Sequence, residues 1–219
     1  MVHLLRHAET DCAAEERFCG QRHDPPLNAR GRAMAHAVAA AYASGPWEAI
    51  YTSPLLRARQ TGAAVAAATG VSVEVDAGLA ELDYGAWDDL SKRAVAALPG
   101  FRTWLADPAS TAPPGGETAR EVAVRAAAVL GRIRARHAGA QVLVVTHKAT
   151  IRILVCHYLG INLARFRWAI AAPVASLTCL ALHDRWAVLL RLGDIAHLPH
   201  ALRESLTLDG GACAPETAP

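Results

Sequence analysis

Lysine is nearly absent from this chain of 219 residues: of 22 Lys and Arg, only Lys92 and Lys148 are lysine. Aromatic residues make up 5%, and no Lys/Arg run interleaves with them, so a nucleic-acid-binding surface is not expected. The five cysteines, Cys12, Cys19, Cys156, Cys179 and Cys213, are odd in number and include no C-x-x-C pair. That pattern indicates neither a disulfide framework nor a zinc knuckle, and reduced thiols in the cytoplasm fit it best. The longest uncharged stretch, Trp168 to Leu182, contains Pro173 and is too short to span a bilayer, so no membrane association is expected. The strand-like start of the sequence gives no expectation of a signal peptide. No internal repeat, Walker or Rossmann glycine pattern, HExxH or H-x-H occurs.

What is present is apolar mass. Hydrophobic residues make up 53%, charged residues 19%, and the net charge is +2, which excludes a disordered polyelectrolyte. The length suits one domain with its own core, expected over residues 1–208, followed by a flexible Gly/Ala/Pro-rich tail over 209–219. The excess of Arg beside abundant Ala reads mostly as compositional bias, although the planar Arg fork suits carboxylate and phosphate.

Short apolar runs alternate with helical patterns. Residues 2–5 read as a buried strand that stops at Arg6-His7. Asn28 is placed to cap a helix over about 29–44, closed by Gly45-Pro46. A second strand over 49–52 leads into Ser53-Pro54, read as an N-cap with proline at the first helical position. That helix runs to Thr69 and a third strand covers 71–75, whereas 76–116 read as irregular. A long helix is expected from Glu117 to about His137, then the strand QVLVVT (141–146) and a helix to about Leu159. Residues 176–182 and 186–192 read as a late hairpin. The expectation is an α/β fold, a three-layer α/β/α sandwich with a mostly parallel central sheet. In such sheets ligands bind beyond the carboxyl ends of the strands, where Arg6-His7, Ser53 and His147 fall.

The candidate constellation is Arg6, His7, Arg57, Glu81 and His147. Two Arg and two His at one edge offer many donors to a doubly charged anion, and phosphate fits best. The amino end of the helix carrying Arg57 adds to the attraction. A neutral His can attack phosphorus, provided its other ring nitrogen is protonated and held by a hydrogen bond. The Arg pair and the second His would then stabilise the equatorial oxygens. A carboxylic acid with a suitably raised pKa would protonate the leaving oxygen. Each residue also has an ordinary structural reading, as a loop, strand-end or helix-surface residue. Neighbouring Arg would repel a cation, so no metal is expected in this constellation.

Seven segments in order carry a resemblance. LLRHAET (4–10), RFCGQRHDPPLNARG (17–31), YTSPLLRARQT (51–61), LAELDYGAWDDL (79–90), PPGGET (113–118), VLVVTHKATIR (142–152) and RLGDIAHL (191–198) resemble consecutive motifs of the histidine phosphatase superfamily, in its phosphoglycerate-mutase-like branch. The resemblance implies that His7 is the phosphorylated nucleophile, that Arg6, Arg57 and His147 bind the phosphoryl group, and that Glu81 is the general acid. It implies no cofactor, and as substrate partner a small phosphorylated metabolite. The implied activity is hydrolysis of a small phosphomonoester. The alternatives are a phosphoglycerate-type mutase, for which an Arg-Arg-rich lid between Glu81 and Pro113 is missing, and a non-catalytic phosphate-binding or interaction member. The sequence leaves a homo-oligomer open.

The sequence departs from the family pattern at several points. Cys12 and Ala13 stand where Trp-Asn is frequent, so one phosphate donor is missing. Ala8 replaces a Gly, and Lys148-Ala149 replaces Gly-Gly. Lys148 is therefore expected at the pocket rim, restoring positive charge or meeting a second anionic group of the substrate. Arg22 and His23, in a loop one residue longer than usual, are further candidates for substrate contact. Residues 84–116 and that loop are the expected specificity wall, and Cys12 near the site suggests sensitivity to oxidation.

Overall fold

A computed structural model describes residues 1–203; the expected tail at 209–219 lies outside the described residues. Six strands form one sheet: β1 (Val2–Arg6), β2 (Trp47–Thr52), β3 (Val73–Val75), β4 (Gln141–Thr146), β5 (Leu177–Leu182) and β6 (Ala187–Asp194). Their order is β3-β2-β4-β1-β5-β6. β1 pairs parallel with β4, and β2 parallel with both β4 and β3. β5 runs antiparallel to β1 and to β6. The mostly parallel sheet expected from the alternating pattern is present.

Strand periodicity places the two halves of the core. Leu4, Ala49, Tyr51, Val142 and Val144 belong to one buried cluster, and Leu5, Ile50, Leu143 and Val145 to the other. Successive side chains point to opposite faces, so both faces must be covered, and near-continuous apolar strands are the result. The first face is covered by α3 (Ala119–Arg136) and α4 (Lys148–Leu159), the second by α1 (Ala29–Tyr42) and α2 (Leu56–Thr69). The architecture is the three-layer sandwich.

Local chemistry sets the helix ends. The Asn28 carboxamide oxygen accepts from Gly31 N–H at 2.7 Å. A Cβ at position 31 would lie 2.0 Å from the Glu9 carbonyl oxygen, so glycine is needed where α1 meets the loop after His7. Thr118 and Glu121 form a reciprocal capping box, which starts α3 at Ala119, two residues later than expected. The expectation at Ser53-Pro54 is corrected: α2 begins at Leu56, its N-cap is Leu55, and no side chain of that residue caps it. Residues 76–116 hold more order than expected, with short helices at Lys92–Ala96 and Phe101–Ala106. Their anchor is an aromatic cluster of Phe18, Tyr84, Trp87, Phe101 and Trp104, packed mainly edge to face with ring centroids 4.8–6.3 Å apart. Within the expected specificity wall, Tyr84, Trp87, Phe101 and Trp104 are thus core.

Candidate active site

The parallel register of β1 and β4 sets Arg6 opposite Thr146, and His7 N–H donates to Thr146 O at 2.9 Å. The next residue on each strand is then a histidine. The His7 and His147 rings lie 5.1 Å apart, centroid to centroid. His7 Nδ1 is 2.7 Å from Ala8 O. A carbonyl only accepts, so the ring proton sits on Nδ1 and the lone pair on Nε2. Both rings titrate well below the ordinary imidazole range: burial is the first cause for each, and the Arg57 guanidinium the next. Two neutral imidazoles at one strand edge are the result.

His147 is completely buried. Its Nε2 contacts Ser53 Oγ at 2.6 Å, and Ser53 Oγ also accepts from Leu55 N–H at 3.2 Å. Its Nδ1 makes no hydrogen bond within the structure. The Ser53–His147 contact was not apparent from sequence; the signal was only that both follow strands.

Arg57, the second residue of α2, has no exposed surface. It donates to Gly20 O at 2.7 Å and Cys19 O at 3.4 Å, and pairs with Asp24 at 3.3 Å. Asp24 also accepts the Leu56 N–H at 2.8 and 2.9 Å. This corrects the expectation that the amino end of α2 attracts substrate phosphate, because a carboxylate of the chain already occupies that amide. The rest of the RARQT segment is scaffold: Gln60 accepts from Leu27 N–H at 2.7 Å, and Thr61 Oγ1 from Ala8 N–H at 3.1 Å. These bonds tie α2 to the loop after the nucleophile candidate.

Glu81 is 4% exposed and caps α4 from outside it. Oε2 accepts from Ala149 N–H at 3.1 Å, and Oε1 from Thr150 N–H at 3.1 Å and Leu82 N–H at 2.9 Å. The Thr150 hydroxyl has two acceptors within reach, Ala80 O at 2.8 Å and Glu81 Oε1 at 3.1 Å. Behind Glu81, Arg125 donates to its carbonyl at 2.9 Å and to both Glu117 oxygens at 2.9 Å, and Gln21 donates to the same carbonyl at 2.7 Å. Glu117 belongs to the PPGGET segment, so that motif supports Glu81 from behind.

These groups surround a cavity of about 310 Å³. Arg6, His7, Glu81 and Lys148 line it, and Arg57 and His147 lie fully buried beneath. Ala13 also lines it, at the position where a donor was expected to be missing. Beyond Lys148, the rim carries Arg17, Lys92, Arg93, Arg152 and Arg167. Arg152 and Arg167 went unnoticed in the sequence because nothing local separates them from the other arginines. Arg22 and His23 do not line the cavity: Arg22 donates to Gly115 O at 2.7 Å, and His23 faces Asp89 at 3.4 Å. Among the described residues, no helix is long and apolar enough to cross a membrane.

The sequence matches the histidine phosphatase superfamily (branch 1) over residues 2–195. Phosphoserine phosphatase 1 of Hydrogenobacter thermophilus is 32% identical over 197 residues, 89% of this chain and 92% of that protein. A probable phosphoglycerate mutase of an Enterobacter strain is 33% identical over 207 residues, covering 90% of this chain and 94% of its own. Among solved structures, a mycobacterial glucosyl-3-phosphoglycerate phosphatase complexed with VO3 superposes with a TM-score of 0.80 at 31% identity, covering 88% of this chain and 98% of that one.

Proposed function

The chain belongs to the histidine phosphatase superfamily and is a phosphoric monoester hydrolase of it, and we propose that it works through a phosphohistidine on His7 with Glu81 as general acid. The observation that carries this reading is the Nδ1 contact of His7 to Ala8 O, which leaves Nε2 as the attacking atom. Nε2 attacks phosphorus and the bond from phosphorus to the ester oxygen breaks; Glu81 gives that oxygen its proton. Water then attacks the phosphorus with Glu81 as base, the P–N bond breaks, and phosphate leaves. While Glu81 is protonated, the Thr150 hydroxyl can point to Ala80 O and accept from the acid. Ser53 O–H donates to His147 Nε2, which puts the His147 proton on Nδ1, where it meets a phosphoryl oxygen. Arg6 and Arg57 oppose the developing charge.

The rim supports a substrate that carries a second anionic group beside its phosphoester. Its cations outnumber its acids, and Lys148 extends them to the first residue of α4. Phosphoserine and glucosyl-3-phosphoglycerate, the substrates in the names of two relatives, each carry a carboxylate in that position. The four described cysteines are free thiols, which suits a cytoplasmic enzyme.

Rapid quench with labelled phosphomonoester tests the mechanism. Wild type forms an acid-labile, base-stable phosphoprotein and releases inorganic phosphate, and His7→Asn forms none. Label that persists in His7→Asn, or returns to an isomeric product instead of water, contradicts the reading.

A further inference from the structure

Beside the cavity wall formed by Ala13, Glu16, Arg17, Phe18 and Cys19 lies a second set of chemically active groups that the catalytic reading does not use. A ligand atom of Cys12, a ring nitrogen of His23 and a carboxylate oxygen of Asp89 all lie within 4.8 Å of one another. The Cys12 thiol donates to Phe18 O and the Cys19 thiol to His23 O, both at 3.8 Å. We propose that Cys12, His23 and Asp89 form a binding site for a zinc-class divalent cation on the outer wall of the cavity, apart from His7 and His147.

Three features of the geometry support this. His23 Nε2 and Asp89 Oδ1 are 3.4 Å apart, close to a tetrahedron edge of about 3.3–3.8 Å for zinc with N, O and S ligands. Asp89 Oδ1 is buried and accepts no hydrogen bond, so a cation there would satisfy an otherwise costly oxygen. Charge also balances. One thiolate and one carboxylate offset a divalent cation, and Arg17, whose Nη2 pairs with the other Asp89 oxygen at 2.8 Å, is balanced by Glu15 at 3.2 Å. Thiolate with imidazole selects zinc over magnesium or calcium.

The site would join separate segments. Cys12 lies in the short helix Asp11–Ala14, His23 in the loop after it, and Asp89 beyond the aromatic cluster. Main-chain bonds already join these stretches: Phe18 N–H donates to Leu90 O, and Asp89 N–H to Phe18 O, both at 2.8 Å. Because Asp89 also holds Arg17, which lines the cavity, the cation would stiffen the wall that carries Arg17, Phe18 and Cys19.

Cobalt(II) is the probe, added to the full chain after reduction and removal of metal by chelator. The wild type is expected to show thiolate-to-cobalt charge-transfer absorption with the intense visible bands of a tetrahedral site, displaced by Zn²⁺. Cys12→Ser and Asp89→Asn should lose the charge-transfer band or bind at least about tenfold more weakly, and His7→Ala should retain the full spectrum. Cys12 is buried, so the half-buried His23→Ala carries the same test if Cys12→Ser fails to fold. A spectrum without a thiolate band overturns the proposal, as does one that disappears in His7→Ala and survives in Cys12→Ser. Neither result touches the phosphohistidine mechanism, which the quench experiment reads separately.

Discussion

Two helices enter the site from the ends of neighbouring strands, and each has its first turn held by a carboxylate from elsewhere in the chain. At α2 the carboxylate is Asp24, which accepts the Leu56 amide and pairs with Arg57. At α4 it is Glu81, which accepts the Ala149 and Thr150 amides. The local task is the same, because helix starts leave amide donors unsatisfied and favour an anion. The surroundings separate them. Asp24 is bound to a fully buried cation and does not line the cavity, whereas Glu81 lines it, next to a hydroxyl that can hold its proton. Both carboxylates cap a helix, but only Glu81 is placed for the proposed acid role.

The comparison breaks most sharply at Glu81. Glu81→Gln keeps an acceptor for the helix amides but has no proton to give. Turnover of an alkyl phosphate should fall about 10²–10⁴-fold, and that of p-nitrophenyl phosphate much less, because nitrophenolate leaves without help. Equal losses on both substrates contradict the assignment. Asp24→Ala should instead lower stability by about 1–2 kcal/mol as a lost cap and leave the leaving-group dependence unchanged.

Next in size is Arg57→Met. Removing a buried cation that satisfies two carbonyls and Asp24 should cost about 3 kcal/mol, a fall in Tm of about 6–12 °C for a chain of this length. Calorimetry checks it; an unchanged Tm means that Arg57 does not hold the 19–24 loop.

A smaller effect is expected at the rim. Lys148→Gly should raise KM about tenfold for a phosphomonoester that also bears a carboxylate, with little change in kcat or in turnover of p-nitrophenyl phosphate. Unchanged kinetics on both would remove Lys148 from substrate binding.

The smallest expected effect on rate is that of mild acid. His7 and His147 are held neutral well below the usual imidazole range. After correction for the substrate's own titration near pH 6, kcat/KM should stay flat as the pH falls through about 6.5. Stability should not. Below about pH 6.5 the unfolded chain binds protons that the native rings refuse, so the native state loses ground as pH falls towards their depressed values. Denaturant melts at descending pH check the sign.

Much of this could be read in the chain because its signals are local. Strand ends that stop at Arg6-His7 and Thr146-His147, the Asn28 cap and the apolar alternation of β1 and β4 each depend on a few adjacent residues. The errors fell where partners are distant. Ser53 looked like a cap because its neighbour is proline; it contacts His147 instead, 94 positions away. The amino end of α2 looked open to phosphate because nothing nearby in sequence announces Asp24. The stretch 76–116 looked irregular because its order comes from aromatic packing against Phe18, not from helical periodicity.

The sequence by itself determined the alternation of strands and helices and the sheet edge where polar groups gather, and it pointed to Arg6, His7, Arg57, Glu81 and His147 as the candidate set. The tertiary structure decided which nitrogen of His7 is free and which helix Glu81 caps. It also decided that Arg57 and His147 lie beneath the cavity, and that Arg22 and His23 face away from it. The physical reason is range: periodicity and capping act over a few residues, whereas tautomer, burial and charge environment depend on groups that only the packed sheet brings together.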